Sequence, residues 1–336
     1  MLAGKALLIA LLCTSTSAKP VHHFAWFAGE RENIRTDSLF LNTKEIEGAQ
    51  ILYPWKALER GKDQYEFSAV REDLEFLKSK GKKLWIQLQD VTFSPQRVNV
   101  PQYMMTDSAY HGGAVQDYSV FGDNDDSVKA EGWVARRWDP AVQDRFARLL
   151  TALGKEFDGR IEGINLPETA IGFGSTGRYF PAGFTHDSYR AAIKTNMAAL
   201  KKAFPKSVAM QYANFIPGEW RPFKDKGYLS EIYDFAKANH VAVGGPDLMP
   251  SRPGQMKSSY PLIRDAAGIV PTGLAVQDDN LAEQDPKTGK AVTACDLIRF
   301  AKEDLKLDYI FWGTQEPYYS KDVIPTLRSQ GTAARR

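Results

Sequence analysis

The stretch Ile161-Glu162-Gly163-Ile164-Asn165-Leu166-Pro167-Glu168-Thr169 is a short apolar run that rises out of an Asp158-Gly159 turn and ends on an amide, a proline and a carboxylate. The pattern predicts a buried strand that delivers polar groups at its carboxyl end. In parallel α/β folds that end is where ligands bind and where chemistry is done. Glu168 is therefore the first candidate for a catalytic acid, and its partner has to come from elsewhere in the chain.

Outward from this stretch, the chain repeats an apolar strand followed by an amphipathic helix. Strands are expected at residues 23–28, 49–55 and 83–89 before it, and at 208–213, 241–244, 273–277 and 309–312 after it. In the third, Leu84, Ile86 and Leu88 alternate with Trp85, Gln87 and Gln89. The helix over 140–157 carries Val142, Phe146, Leu149, Leu150 and Leu153 on one face and feeds the Asp158-Gly159 turn. Eight strands alternating with helices predict a single-domain (β/α)8 barrel, a TIM barrel, and not a six-stranded doubly wound sheet. No Gly-x-Gly-x-x-Gly follows strand one and no phosphate loop is present, which speaks against nucleotide binding and a bound cofactor.

The segment at about 90–139 is far longer than a usual βα connection and carries Tyr103, Tyr110, His111, Tyr118, Trp133 and Trp138. Long loops on the carboxyl face of a barrel shape binding sites, though such rings serve equally well as a satellite core beneath the loop. Asp123, Asp125 and Asp126 lack the glycine and terminal glutamate of a calcium loop and read as a solvated acidic turn.

Composition sets the remaining bounds. The chain has 336 residues, 43% hydrophobic and 12% aromatic, with 43 basic against 41 acidic side chains and a net charge of +2. No basic excess argues for nucleic acid. Lys5, the apolar run from Ala6 to Cys13 and the small residues Thr16-Ser17-Ala18 have the layout of a secretion signal over 1–18, so export with cleavage near Ala18 is expected, leaving 19–336 as the barrel. The apolar run is shorter than the roughly 20 residues that span a membrane. Removal of the leader leaves Cys295 as the single cysteine, so no internal disulfide is expected. His22, His23, His111, His186 and His240 show no metal-ligand spacing, and no Gly-x-Ser-x-Gly elbow supports serine catalysis. A monomer is expected.

Several segments together resemble a known family. Tyr53-Pro54-Trp55-Lys56-Ala57-Leu58-Glu59 with Gly61 and Tyr65-Glu66-Phe67 resembles the strand-two region of the large retaining clan of barrel glycoside hydrolases (cellulase and β-galactosidase-like enzymes), and Gly81-Lys82-Lys83-Leu84-Trp85-Ile86 resembles their third strand. The resemblance implies that Glu168 is the general acid/base of strand four, that Asn165 bonds the neighbouring sugar hydroxyl, and that Trp312 is the strand-eight tryptophan beneath the sugar. It implies a carbohydrate substrate. Two departures stand out: Leu166 and Pro167 separate Asn165 from Glu168, and strand seven ends Val276-Gln277-Asp278-Asp279-Asn280, with no glutamate.

Asp278, Asp279 or Glu316 could supply the second carboxylate that glycoside hydrolysis needs. Alternatively, Gln277 marks a barrel that binds glycans and has lost its nucleophile. Further candidates for substrate contact are Trp26, Trp55, Gln87, Gln89, Asp90, His111, Tyr212, Asn214 and Asp247. Each strand-end polar residue has a plainer role open to it, satisfying backbone groups or capping the next helix.

Overall fold

Eight parallel strands close on themselves in chain order in the computed structural model, which describes residues 19–118, 128–277, 280–285 and 288–333. They are strand one His22–Trp26, two Gly48–Pro54, three Lys83–Gln89, four Gly163–Leu166, five Val208–Tyr212, six Ala242–Gly245, seven Thr272–Val276 and eight Tyr309–Gly313. Strand eight pairs back onto strand one, with Phe24 opposite Phe311. The expected (β/α)8 barrel is therefore the fold, with strand ends displaced by a residue or two from those read in the sequence.

The two-residue alternation of each strand divides side chains between two cores. Phe24, Trp85, Met210, Tyr212, Ala242, Ala275, Tyr309 and Phe311 fill the barrel interior, with Trp26 and Val208 packed against them. The Trp85 indole meets the rings of Phe311 at 4.8 Å and Tyr309 at 5.0 Å. It crosses strand four at Gly163, where an added Cβ would stand 2.7 Å from the indole. At the amino ends of the strands, Glu162 accepts from Tyr309 Oη at 3.0 Å and pairs with Lys83 at 2.9 Å. Outward-facing residues such as Ile86, Leu88, Ile164, Leu166, Leu274 and Trp312 join the helices in the larger core.

The helix Pro140–Phe157 starts where Asp139 accepts from Ala141 N and Val142 N, with proline in the first turn, and it buries the five apolar residues of its expected face. Its exit turn is tied down by Asp158, whose Oδ1 accepts from Lys206 N and Ser207 N at the entrance of strand five.

The segment after strand three is more ordered than the loop expected there. Val91–Thr92, Ala130–Ala135 and Ala114–Tyr118 form a three-stranded antiparallel sheet. Its aromatics serve largely as a satellite core: Tyr103 and Tyr110 meet edge to face at 5.6 Å, and Trp138 packs against Phe173 and Phe184. Asp123, Asp125 and Asp126 lie outside the described residues, as do residues 1–18, where a leader is expected. Among the described residues, no helix is long and apolar enough to cross a membrane.

Candidate active site

The polar groups of this protein converge at the carboxyl end of strands three to seven. Strand four carries the chain upward through Pro167, and Arg137 fixes the backbone just beyond it. Its guanidinium donates to Glu168 O at 2.8 Å and to Tyr189 Oη at 2.9 Å, and it pairs with both oxygens of Asp90 at 2.7 and 2.9 Å. Arg137 and Asp90 are both buried. A buried charge pair of this kind holds only when its hydrogen bonds are made, and here they are spent on the backbone that presents Glu168. Tyr189 extends the clamp by donating to Thr169 O at 3.0 Å.

Glu168 Oε2 accepts from Asn214 Nδ2 at 2.7 Å. The Glu168 carboxyl is pushed up to about 7, chiefly by burial; the Asn214 amide opposes the rise, Asp247 adds to it, Arg137 opposes and Asp117 adds. A carboxyl in that range exchanges its proton near neutral pH, as general acid catalysis requires. Asp117, on the inserted sheet, is itself pushed up to about 6, first by burial, with donation from Gly172 N and the charge of Arg137 working against it.

Asp247 follows strand six in a left-handed conformation, φ 61°. It pairs with Arg252 at 2.7 Å and accepts from Gln255 Nε2 at 3.0 Å and Asn280 Nδ2 at 3.2 Å. Asn280 Oδ1 in turn accepts from Gln277 N at 2.8 Å, so one buried amide ties the end of strand seven to the carboxylate after strand six. Glu168 and Asp247 form two carboxylates in distinct settings, one desolvated and holding a proton near neutrality, the other ion-paired.

Gln89 and Asn214 are nearly buried, and the side-chain oxygen of each has no hydrogen-bond partner. Buried acceptors are normally satisfied, and these two stand out against that rule. Trp26 lies half-buried over the interior cluster and donates to Gln87 Oε1 at 2.8 Å. Gln277 is half-buried at the end of strand seven.

Other residues expected at the mouth stand elsewhere. Asn165 is wholly buried inside the barrel, where its Oδ1 accepts from Gln50 Nε2 and Trp85 Nε1, both at 3.0 Å. Tyr212 is held there too, its hydroxyl accepting from Gln50 at 2.9 Å. Trp55 is buried against Phe146 and donates to Glu59, and Trp312 faces the helices and donates to His23 Nδ1 at 3.1 Å. Neither tryptophan reaches the mouth. His23 can accept because burial first, then Lys302 and His22, push its pKa down to about 3. Asp90 is committed to Arg137. His111 sits exposed beside Asp139 at 2.7 Å. Glu316 is exposed and accepts from Ser320 N at 3.3 Å, beside Asp37 rather than Glu168. Asp278 and Asp279 lie outside the described residues.

Asp117, Arg137, Arg252 and Asn280 carry no signal in the sequence that marks them for a site. Asp117 and Arg137 sit in an insertion whose pairing has no periodic signature, and Asn280 closes a run whose acids draw the eye first. No group of three or more His, Cys, Asp or Glu among the described residues could hold a metal.

The barrel is one that glycoside hydrolases use. It is similar to the catalytic domain of a β-amylase from Paenibacillus polymyxa, with TM-score 0.55 and 10% identity over 87% of this chain and 93% of that one. It is also similar to a β-galactosidase from Rahnella, with TM-score 0.51 and 11% identity over 96% of this chain and 57% of that one. A Thermotoga petrophila xylanase in complex with xylobiose has TM-score 0.51 and 10% identity over 87% and 82% of the two chains. No protein-family model matches the sequence, and no curated protein matches it. At such identities the likeness speaks for the fold, and the reaction has to be argued from the site.

Proposed function

We propose that the protein is an exported glycoside hydrolase that cleaves an O-glycosidic bond in a poly- or oligosaccharide, with Glu168 as general acid/base and Asp247 as the opposing carboxylate. The observation that carries this reading is the Glu168 carboxyl, raised to about 7 at the carboxyl-end mouth of the barrel, with the charge of Asp247 contributing to the rise. In the reaction the protonated Glu168 gives its proton to the leaving glycosidic oxygen as the bond to the anomeric carbon breaks. Asp247, paired with Arg252, turns its carboxylate to the positive charge that develops on the sugar, and water completes the hydrolysis. Asp247 is preferred to Glu316, which stands beside Asp37, because its charge acts on Glu168; Asp278 and Asp279 lie outside the described residues.

A second reading, a glycan-binding barrel without catalysis, is favoured by Gln277 standing where the resembling enzymes carry a strand-seven carboxylate. One experiment separates the two. Purified protein is incubated with a panel of polysaccharides alongside Glu168→Gln and Asp247→Asn, scoring reducing ends and the anomeric form of the first product. The hydrolase reading expects release by the wild type and a loss of about a hundredfold or more in each variant. Glycan binding without release in the wild type would establish the second reading.

A further inference from the structure

The loops that follow strands one and eight line an open cavity of about 220 Å³, bordered by Phe27, Asn33, Asp37, Thr314, Glu316 and Tyr319 among others. Among the described residues no basic side chain lines it. Tyr319 is 2% exposed, yet its hydroxyl has no hydrogen-bond partner. Tyr319 lines the cavity together with Asp37 and Glu316; burial first, then the charges of Asp37 and Glu316, hold the proton on its phenol, with the charge of Arg328 working against them. One oxygen of each acid is already fixed by the protein: Asp37 Oδ1 accepts from Phe40 N at 3.0 Å, and Glu316 Oε2 from Ser320 N at 3.3 Å.

We propose that this cavity binds a primary ammonium group carried on a body about the size of one sugar residue, the ammonium bridging Asp37, Glu316 and the Tyr319 hydroxyl. An ammonium offers three donors and no acceptor, which matches two carboxylates and a phenol oxygen. An ammonium also complements a lining that carries two carboxylates and, among the described residues, no basic side chain. Calcium fits poorly, since it takes about six to eight oxygens and this cavity supplies two carboxylates. Phe27 and the Tyr319 ring give an apolar wall for the ligand body. Binding here involves neither Glu168 nor Asp247, so it stands apart from the hydrolytic reading.

The test is calorimetric titration of the full chain, at low salt, with glucosamine, glucose, 1,5-diaminopentane and calcium chloride. Saturable binding of either amine, kept in Glu168→Gln, is expected. Glu316→Gln, at an exposed position, should weaken amine binding about tenfold or more, and Tyr319→Phe about fivefold. Tighter binding of glucosamine identifies an amino sugar as the ligand class, and tighter binding of the diamine a free aliphatic amine; both support the site. The proposal is overturned if the wild type binds no amine, if both variants bind amine as the wild type does, if glucose binds as tightly as glucosamine, or if calcium displaces the amine.

Discussion

Replacing Glu168 by glutamine removes one ionisable proton and keeps the shape of the side chain, so it isolates what the buried carboxyl costs the fold. The carboxyl titrates at about 7 in the folded chain against an ordinary 4.5. Below pH 4.5 both states carry the proton and the group contributes nothing. Between 4.5 and about 7 the unfolded chain releases it while the folded chain keeps it, so stability falls as pH rises. Above 7 the penalty is constant at about 3 kcal/mol, from about 1.4 kcal/mol per unit of pKa difference. Glu168→Gln escapes this penalty. It should match the wild type in urea unfolding near pH 4.5 and exceed it by up to about 3 kcal/mol near pH 8, provided the new amide bonds Asn214 as the acid did. The assay needs no substrate. A stability difference between the two proteins that is the same at both pH values would refute the desolvated carboxyl and, with it, the assignment of Glu168 as an acid working near neutrality.

Asp247→Asn removes a neighbouring negative charge, so carbon-13 titration of Glu168 should show its midpoint falling below about 7; an unchanged or higher midpoint counts against the pairing. Arg137→Met leaves Asp90 buried and unpaired, and chemical denaturation should register a loss of about 3 to 5 kcal/mol. Trp312→Ala opens a cavity between barrel and helices and should cost about 3 to 5 kcal/mol of stability. Trp26→Ala, at the half-buried mouth, should cost less stability and weaken glycan binding; equal effects of the two on binding would contradict their placement on opposite faces of the sheet.

How much of this molecule is legible in its sequence depends on the range of each signal. The alternation of Leu84, Ile86 and Leu88 with Trp85, Gln87 and Gln89 is local, and it sorts helix-facing from barrel-facing residues correctly. Glu168 stands out by its place after an apolar run. Trp55 and Trp312 mislead because an indole suits a sugar platform and a core equally, and only strand register tells them apart. Asn165 misleads because the interior of this barrel holds a polar cluster with Gln50, Trp85 and Tyr212 that no single strand announces. Asp247 is visible as a strand-end polar residue, but its role depends on Arg252, Gln255 and Asn280, and the tie to strand seven crosses 33 residues of chain. The clamp of Arg137 on Asp90 spans 47 residues and lies across an insertion, beyond any periodic reading.

The aromatic plug of Phe24, Trp85, Tyr309 and Phe311, with Lys83, Glu162 and the Tyr309 hydroxyl at its amino end, fills the barrel from below. A ligand at the carboxyl end of the strands would therefore rest on a floor of packed rings and not over an open bore.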